Sequence, residues 1–102
     1  MKTAFIIIDV QNILVETGFE TEKLLEKIAY LQDQARKQQI EIIYMQHIET
    51  PEALTSEDWQ LSPLLKRQEN EKVFQKRYNS IFKETGLKEY LDQQGIEQLV
   101  LC

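Results

Sequence analysis

A continuous apolar run, Phe5-Ile6-Ile7-Ile8, lies near the start of the chain and ends at Asp9. A strand with one face in water alternates apolar and polar residues, whereas this run has no polar residue to place in water. Continuous β-branched and aromatic runs are typical of strands that are covered on both faces, as in a parallel sheet. The run therefore predicts an α/β protein built on a parallel sheet.

The next two elements continue this pattern. Apolar residues recur at helical spacing from about Thr21 to Gln38, and Thr21 is the expected N-cap. The β-branched stretch from Ile40 to Met45 follows at once and predicts a second strand. Strand, long helix and strand make a βαβ unit, which is almost always right-handed.

The second half of the chain begins with a long polar excursion. The segment from Glu49 to Asn70 has only isolated apolar residues, and loops of this length are usually functional or flexible. A short third strand is predicted from Lys72 to Phe74. Gly86 and Gly95 bracket a short helix, with Gly95 expected at its C′ position. Leu99 to Cys102 predicts a fourth strand.

Composition limits the class of protein. The 102 residues suffice for one small domain, and 42% hydrophobic and 28% charged residues are ordinary for a globular chain. The net charge of −5, with basic and acidic residues interleaved, gives no basic footprint for nucleic acid. A single cysteine allows neither an internal disulfide nor a cysteine-based zinc site. Without a signal sequence or a membrane-spanning apolar run, we expect a cytoplasmic protein that does not bind membranes.

Two polar residues lie where chemistry is expected in such a sheet. In open α/β sheets, ligands bind outside the carboxyl ends of the strands, and Asp9 is the first polar residue after the first strand. Lys76 lies just beyond the third predicted strand, at the same edge. Each has an ordinary alternative: Asp9 as the cap of a turn, and Lys76 as a solvated surface residue.

The order of three motifs resembles a known family. Ile8-Asp9-Val10-Gln11-Asn12 after an N-terminal strand is followed by Lys76-x-x-x-Ser80-x-Phe82, and then by Gly95-Ile96-x-x-Leu99-Val100-Leu101. This order and spacing are similar to those of isochorismatase-like cysteine hydrolases over all 102 residues. The resemblance implies a Rossmann-like, doubly wound parallel sheet with helices on both faces. It also implies hydrolysis of small-molecule amides, such as nicotinamide, ureido compounds and carbamoyl amines, or of the vinyl ether of isochorismate.

The resemblance also implies roles for individual residues. Asp9 and Lys76 match the family's catalytic aspartate and lysine. The third catalytic residue is a cysteine that opens the helix after the fourth strand, several residues beyond a glycine. Cys102 lies within the strand run and does not match it, so we expect Cys102 to be a small apolar strand residue. Residues 1–102 are therefore expected to be the N-terminal portion of the domain, incomplete at the C-terminus, or alternatively a complete four-stranded domain.

Ligand predictions follow from the remaining polar residues. Nicotinamidases of this family bind a metal through an aspartate and histidines, but His47 is the only histidine here, so no metal is expected. The glycines form no nucleotide-binding motif, and no cofactor is expected. His47 is expected to line a substrate pocket. Further substrate-binding candidates by position are Gln11, Trp59, Tyr78 and Asn79.

Two functions remain open at this point. The first is a hydrolase of a C–N bond in a small molecule, and the second is a non-catalytic α/β binding or assembly module. The catalytic hypothesis predicts that the side-chain ends of Asp9 and Lys76 lie within roughly 4 Å of each other. An incomplete sheet would expose apolar surface, and members of the resembled family usually assemble as dimers or larger oligomers. Both points predict a homo-oligomer.

Overall fold

The computed structural model describes residues 2–11, 21–50, 52 and 56–102, which form four strands and two α-helices. In chain order these elements are β1 (Thr3–Ile8), α1 (Thr21–Lys37), β2 (Glu41–His47), β3 (Lys72–Lys76), α2 (Leu87–Gln94) and β4 (Gln98–Leu101). Two 3₁₀ turns, Glu57–Trp59 and Pro63–Leu65, lie between β2 and β3. All six predicted elements are confirmed, and β2 and β3 each continue two residues beyond their predicted ends.

The four strands form one parallel sheet in the order β3-β2-β1-β4. Helix α1 contributes Ile28 and Ala35 to the core on one face of the sheet. Helix α2 contributes Leu87 and Leu91 to a second core on the other face. The predicted doubly wound sheet with helices on both faces is therefore confirmed.

The apolar run in β1 supplies side chains to both cores. Phe5 and Ile7 pack on the face of α1, whereas Ala4 and Ile6 pack on the face of α2. None of these four residues is more than 3% exposed. Successive side chains of a strand point to opposite faces, so a strand with helices on both sides needs apolar residues at every position.

One predicted helix end agrees with the structure and another differs from it. Gly95 ends α2 in the left-handed region with φ 69°, and Ile96 donates a hydrogen bond back to the Leu91 carbonyl, as expected of a C′ glycine. Thr21 is the first residue of α1 instead of its N-cap. The position before Thr21 lies outside the described residues.

A buried carboxylate joins α1 to the segment that leads into β3. Glu71 is 7% exposed and accepts hydrogen bonds from the Arg36 guanidinium, the Tyr44 hydroxyl and the Gln68 backbone N–H. Burial disfavours the charged carboxylate, but these donors outweigh burial and lower the pKa of Glu71 below its ordinary value of 4.5. Burial, and then the adjacent Glu71, raise the pKa of Tyr44 to about 12. Glu71 is therefore ionised in the fold and Tyr44 is neutral.

This network predicts how stability depends on pH. The folded Glu71 carboxyl holds its proton less tightly than the unfolded one, so its stabilisation is complete above the ordinary pKa of 4.5 and is lost as the pH falls below it. Glu71→Gln should lower the free energy of unfolding at pH 7 by about 1–3 kcal/mol and flatten the acid dependence. Urea unfolding across the acid range measures both effects. The control is Glu69→Gln at a neighbouring exposed position; an equal effect of the two variants would contradict this role.

Strand β4 forms one edge of the sheet. Val100 is 47% exposed and Leu101 is 56% exposed, and among the residues that the structure describes β4 pairs with β1 alone. Within the described residues, no helix has the length and apolar character needed to cross a membrane.

Candidate active site

The four strands present four chemically distinct residues at one edge of the sheet. Lys76 ends β3, His47 ends β2, Asp9 follows β1 and Cys102 follows β4. The strands are parallel, so all four positions lie at the carboxyl edge, where ligands bind in open α/β sheets. The strand order places them as Lys76, His47, Asp9 and Cys102 across the sheet.

Lys76 and Asp9 form an ion pair across β2. Lys76 Nζ lies 3.4 Å from Asp9 Oδ1, and the Lys76 side chain is 4% exposed, against 34% for Asp9. This confirms the predicted separation. Strands β1 and β3 are not neighbours, so their axes lie roughly 10 Å apart, a gap that needs a side chain as long as lysine. The ammonium also donates a hydrogen bond to the Tyr78 carbonyl at 3.2 Å. Its position is therefore fixed by two contacts, one with Asp9 and one with Tyr78.

The backbone turns sharply at Asp9. Its φ of 61° lies in the left-handed region, which aspartate tolerates better than most residues. The Asp9 N–H still donates to the Met45 carbonyl of β2, and the Asp9 carbonyl accepts from the Gln11 N–H. Residues held in such conformations cluster at functional sites, where the surrounding structure maintains them. The turn aims the carboxylate towards Lys76.

One carboxylate oxygen of Asp9 retains unused bonding capacity. Asp9 Oδ1 is buried and accepts no hydrogen bond from the described residues, since its contact with Lys76 is an ion pair without hydrogen-bond alignment. A buried polar atom without a hydrogen-bond partner costs about 1–3 kcal/mol unless water or a ligand satisfies it. Asp9 Oδ1 therefore retains the capacity to accept a hydrogen bond.

Gln11, predicted as a substrate contact, has its side-chain amide engaged inside the protein. It is fully buried, and its amide nitrogen donates to the backbone carbonyls of His47 and Trp59. Its amide oxygen accepts from the His47 backbone N–H at 2.8 Å. Both amide hydrogens are used inside the protein, where they tie the end of β2 to the segment that contains Trp59.

His47 and Trp59 lie together beside this end of the sheet. Their ring centroids are 5.9 Å apart, and the Trp59 carbonyl accepts hydrogen bonds from Gln11 and Gln46. The Nδ1 atom of His47 is buried without a hydrogen-bond partner in the part of the chain that the structure describes. In those same residues, no group of three potential ligands for a metal ion occurs. His47 Nδ1 therefore retains unused hydrogen-bonding capacity at this end of the sheet.

The two remaining predicted residues lie in the loop after β3. Tyr78 is 40% exposed, and its backbone carbonyl holds the Lys76 ammonium. Asn79 is exposed in the same loop. The contact through the Tyr78 carbonyl was not predictable from residue type, because every residue carries such an acceptor. The proximity of Tyr78 to Lys76 in the chain was the only available signal.

Cys102 continues the pairing of β4 with β1. Its N–H donates to the Ile6 carbonyl, and its carbonyl accepts from the Ile8 N–H. Its partly buried side chain packs against the core that includes Phe5 and Ile7, on the side of the sheet that α1 covers. Cys102 therefore serves as an apolar strand residue.

The family model of the isochorismatase domain matches residues 3–102. The chain belongs to the isochorismatase domain family. This is the family that the order of the motifs predicted. Asp9 and Lys76 therefore lie at the carboxyl edge of the sheet of an isochorismatase domain. Among curated proteins, none matches this sequence.

Solved structures of isochorismatase domains have the same fold. An isochorismatase family protein has a TM-score of 0.90 at 26% identity, covering 98% of this chain and 62% of its own. An isochorismatase from Pseudomonas putida KT2440 has a TM-score of 0.86 at 31% identity, covering 98% and 55%. An N-carbamoylsarcosine amidase from Thermoplasma acidophilum is similar in fold, with a TM-score of 0.84 at 20% identity, covering 99% and 66%. The chain thus spans between half and two thirds of the length of these structures.

Proposed function

We propose that the protein is a cysteine-dependent hydrolase that cleaves a C–N bond of a small-molecule amide or ureido compound. The observation that carries this proposal is the buried Lys76 ammonium, which lies 3.4 Å from Asp9 Oδ1, an oxygen that accepts no hydrogen bond from the described residues. A carboxylate ion-paired with a fixed ammonium can act on a thiol placed beside them, the carboxylate as its base and the ammonium as the counter-charge of the thiolate.

In this mechanism Asp9 and Lys76 act on a cysteine outside the 102 residues. Asp9 takes the thiol proton, and the Lys76 ammonium stabilises the resulting thiolate. The thiolate adds to the substrate carbonyl carbon, and backbone N–H groups stabilise the oxyanion. Asp9 then returns the proton to the departing amine as the C–N bond breaks, and water hydrolyses the thioester to regenerate the thiol.

The sheet order supports the position of that cysteine. Strand β4 pairs with β1 in parallel, and the Cys102 carbonyl accepts from the N–H of Ile8, one residue before Asp9. Residues joined to Cys102 in the direction of β4 would therefore emerge beside Asp9. Cys102 itself packs in the core, which favours a nucleophile other than Cys102.

The substrate would lie over the same strand ends. His47 offers an Nδ1 atom that has no hydrogen-bond partner among the described residues, and Trp59 offers a ring next to His47. Tyr78 and Asn79 border the site from the loop after β3. We retain these four residues as candidate substrate contacts. The fold of the N-carbamoylsarcosine amidase is compatible with amide chemistry, and that of the isochorismatase is compatible with vinyl-ether hydrolysis. The pair of Asp9 and Lys76 serves a nitrogen leaving group well, since Asp9 can protonate it.

Ammonia release tests this proposal. We expect the 102-residue chain to release no ammonia from nicotinamide or from N-carbamoyl amino acids, and a longer protein with a cysteine beyond Cys102 to release it from at least one. Turnover by the short chain that is abolished by Cys102→Ser would make Cys102 the nucleophile. A folded longer protein that binds these compounds without cleaving them would instead indicate a non-catalytic binding module.

A further inference from the structure

A cavity of about 270 Å³ opens beside the end of β3. This volume suits a small organic group. The roles described above account for Tyr78 but not for the charged groups that line the cavity. Its lining residues are Ile48, Gln75, Arg77, Tyr78, Lys83 and Glu84.

Two hydrogen bonds join this cavity to Lys76. The Lys76 ammonium donates to the Tyr78 carbonyl at 3.2 Å, and the Ile48 backbone N–H donates to the Lys76 carbonyl at 2.8 Å. Both Tyr78 and Ile48 line the cavity. The loop that holds the Lys76 ammonium therefore also forms part of the cavity wall, which places the cavity next to the candidate site.

The cavity is positively charged in an otherwise acidic chain. Arg77 and Lys83 contribute two positive charges against the single carboxylate of Glu84, whereas the whole chain has a net charge of −5. Seven of the twelve lysines and arginines lie between residues 66 and 88, together with only three acidic residues. The charge of this segment is therefore opposite in sign to that of the chain as a whole.

Neither cation of the cavity is neutralised by a carboxylate in the part of the chain that the structure describes. The Lys83 ammonium lies 4.1 Å from the centre of the Tyr78 ring, which holds it by a cation–π contact without consuming its charge. Arg77 is exposed and presents a planar guanidinium, whose donors match the two oxygens of a carboxylate. Gln75 adds a neutral amide donor.

We propose that this cavity binds a carboxylate of the substrate, so that the protein acts on small amides or ureido compounds that carry a negative charge. The proposal rests on the hydrolase function above and adds the substrate class. Arg77 and Lys83 bind the carboxylate, Gln75 donates to it, and Glu84 limits the positive charge of the cavity.

Binding of two matched probes tests this proposal. The probes are N-carbamoylglycine, which is anionic, and its neutral primary amide, titrated by NMR into the full chain with Asp9→Asn so that neither is consumed. We expect the anionic probe to bind roughly tenfold more tightly, since hydrogen bonds to charged groups differ from neutral ones by about this factor. Arg77→Gln and Lys83→Gln should each reduce the preference, and together they should abolish it. Glu84→Gln should increase it.

Lys37→Gln provides the matched control, because it removes one positive charge from an exposed position on α1. It should leave the preference unchanged. Equal affinity for the two probes, or a preference that survives the double variant, would overturn the carboxylate site. Ammonia release without any charge preference would overturn this site alone. A charge preference that depends on Arg77 and Lys83, in a protein that never releases ammonia, would overturn the hydrolase function and leave the anion-binding site.

Discussion

Asp9→Asn in the full-length protein is expected to lower kcat/KM by about 10²–10⁴-fold, the usual contribution of a positioned general base. Asparagine tolerates the left-handed backbone that Asp9 adopts at φ 61°, so the turn after β1 is preserved. It cannot take the proton of a thiol, and it removes the negative charge 3.4 Å from Lys76. The loss should therefore appear in the chemical step more than in substrate binding.

Steady-state kinetics for ammonia release measure this loss. Asp33→Asn is a suitable control, because Asp33 is exposed on α1 and pairs only with the exposed Lys37 in the described residues. Thermal unfolding of both variants separates a folding defect from a catalytic one. A folded Asp9→Asn protein that keeps its wild-type rate would remove Asp9 from the mechanism.

Lys76→Met is expected to raise the pH at which the nucleophilic cysteine is alkylated by iodoacetamide by about one unit or more. An ammonium within a few ångströms of a thiolate favours the charged form, and opposite charges at such distances shift a pKa by roughly 1–3 units. Methionine keeps an unbranched apolar stem at this buried position, so the substitution removes the charge with little change in side-chain volume. Hydrolysis should fall severely in the same variant.

The alkylation rate as a function of pH measures the shift directly and does not depend on turnover. Lys72→Met gives the matched control, because Lys72 lies on the same strand, four residues earlier, and is exposed. An alkylation midpoint unchanged by Lys76→Met would show that Lys76 does not act on the thiol.

Much of the fold was predictable because it depends on apolar periodicity. The unbroken run in β1 required cover on both faces, and α1 and α2 provide it. The end of α2 was predictable from Gly95, because glycine readily adopts the left-handed conformation that ends a helix, as Gly95 does here. The segment between β2 and β3 was not predictable in this way. Its 3₁₀ turns are held by long-range hydrogen bonds, such as those from Gln32 to the Leu65 carbonyl and from Gln46 to the Trp59 carbonyl.

The same distinction applies to the candidate site. Asp9 and Lys76 were predictable as neighbours because parallel strands bring their carboxyl ends to one edge. The burial of Glu71 and Gln11 was not predictable, because glutamate and glutamine are usually surface residues. Only their tertiary contacts show that they are buried. The cavity beside Tyr78 was missed for a further reason. Arg77 and Lys83 are six residues apart, and the loop conformation alone brings them to the same space.

The side chain of Gln11 also imitates a piece of main chain. Its amide presents a donor and an acceptor to the carbonyl and N–H of His47, just as the N–H and C=O of one residue on an adjoining antiparallel strand would. Asparagine is one methylene shorter, and glutamate would direct a second oxygen at two carbonyls in place of the donors. The length of the side chain and its donor–acceptor pair are thus matched to the backbone of His47. Any substitution at position 11 would leave backbone groups of His47 and Trp59 without these partners.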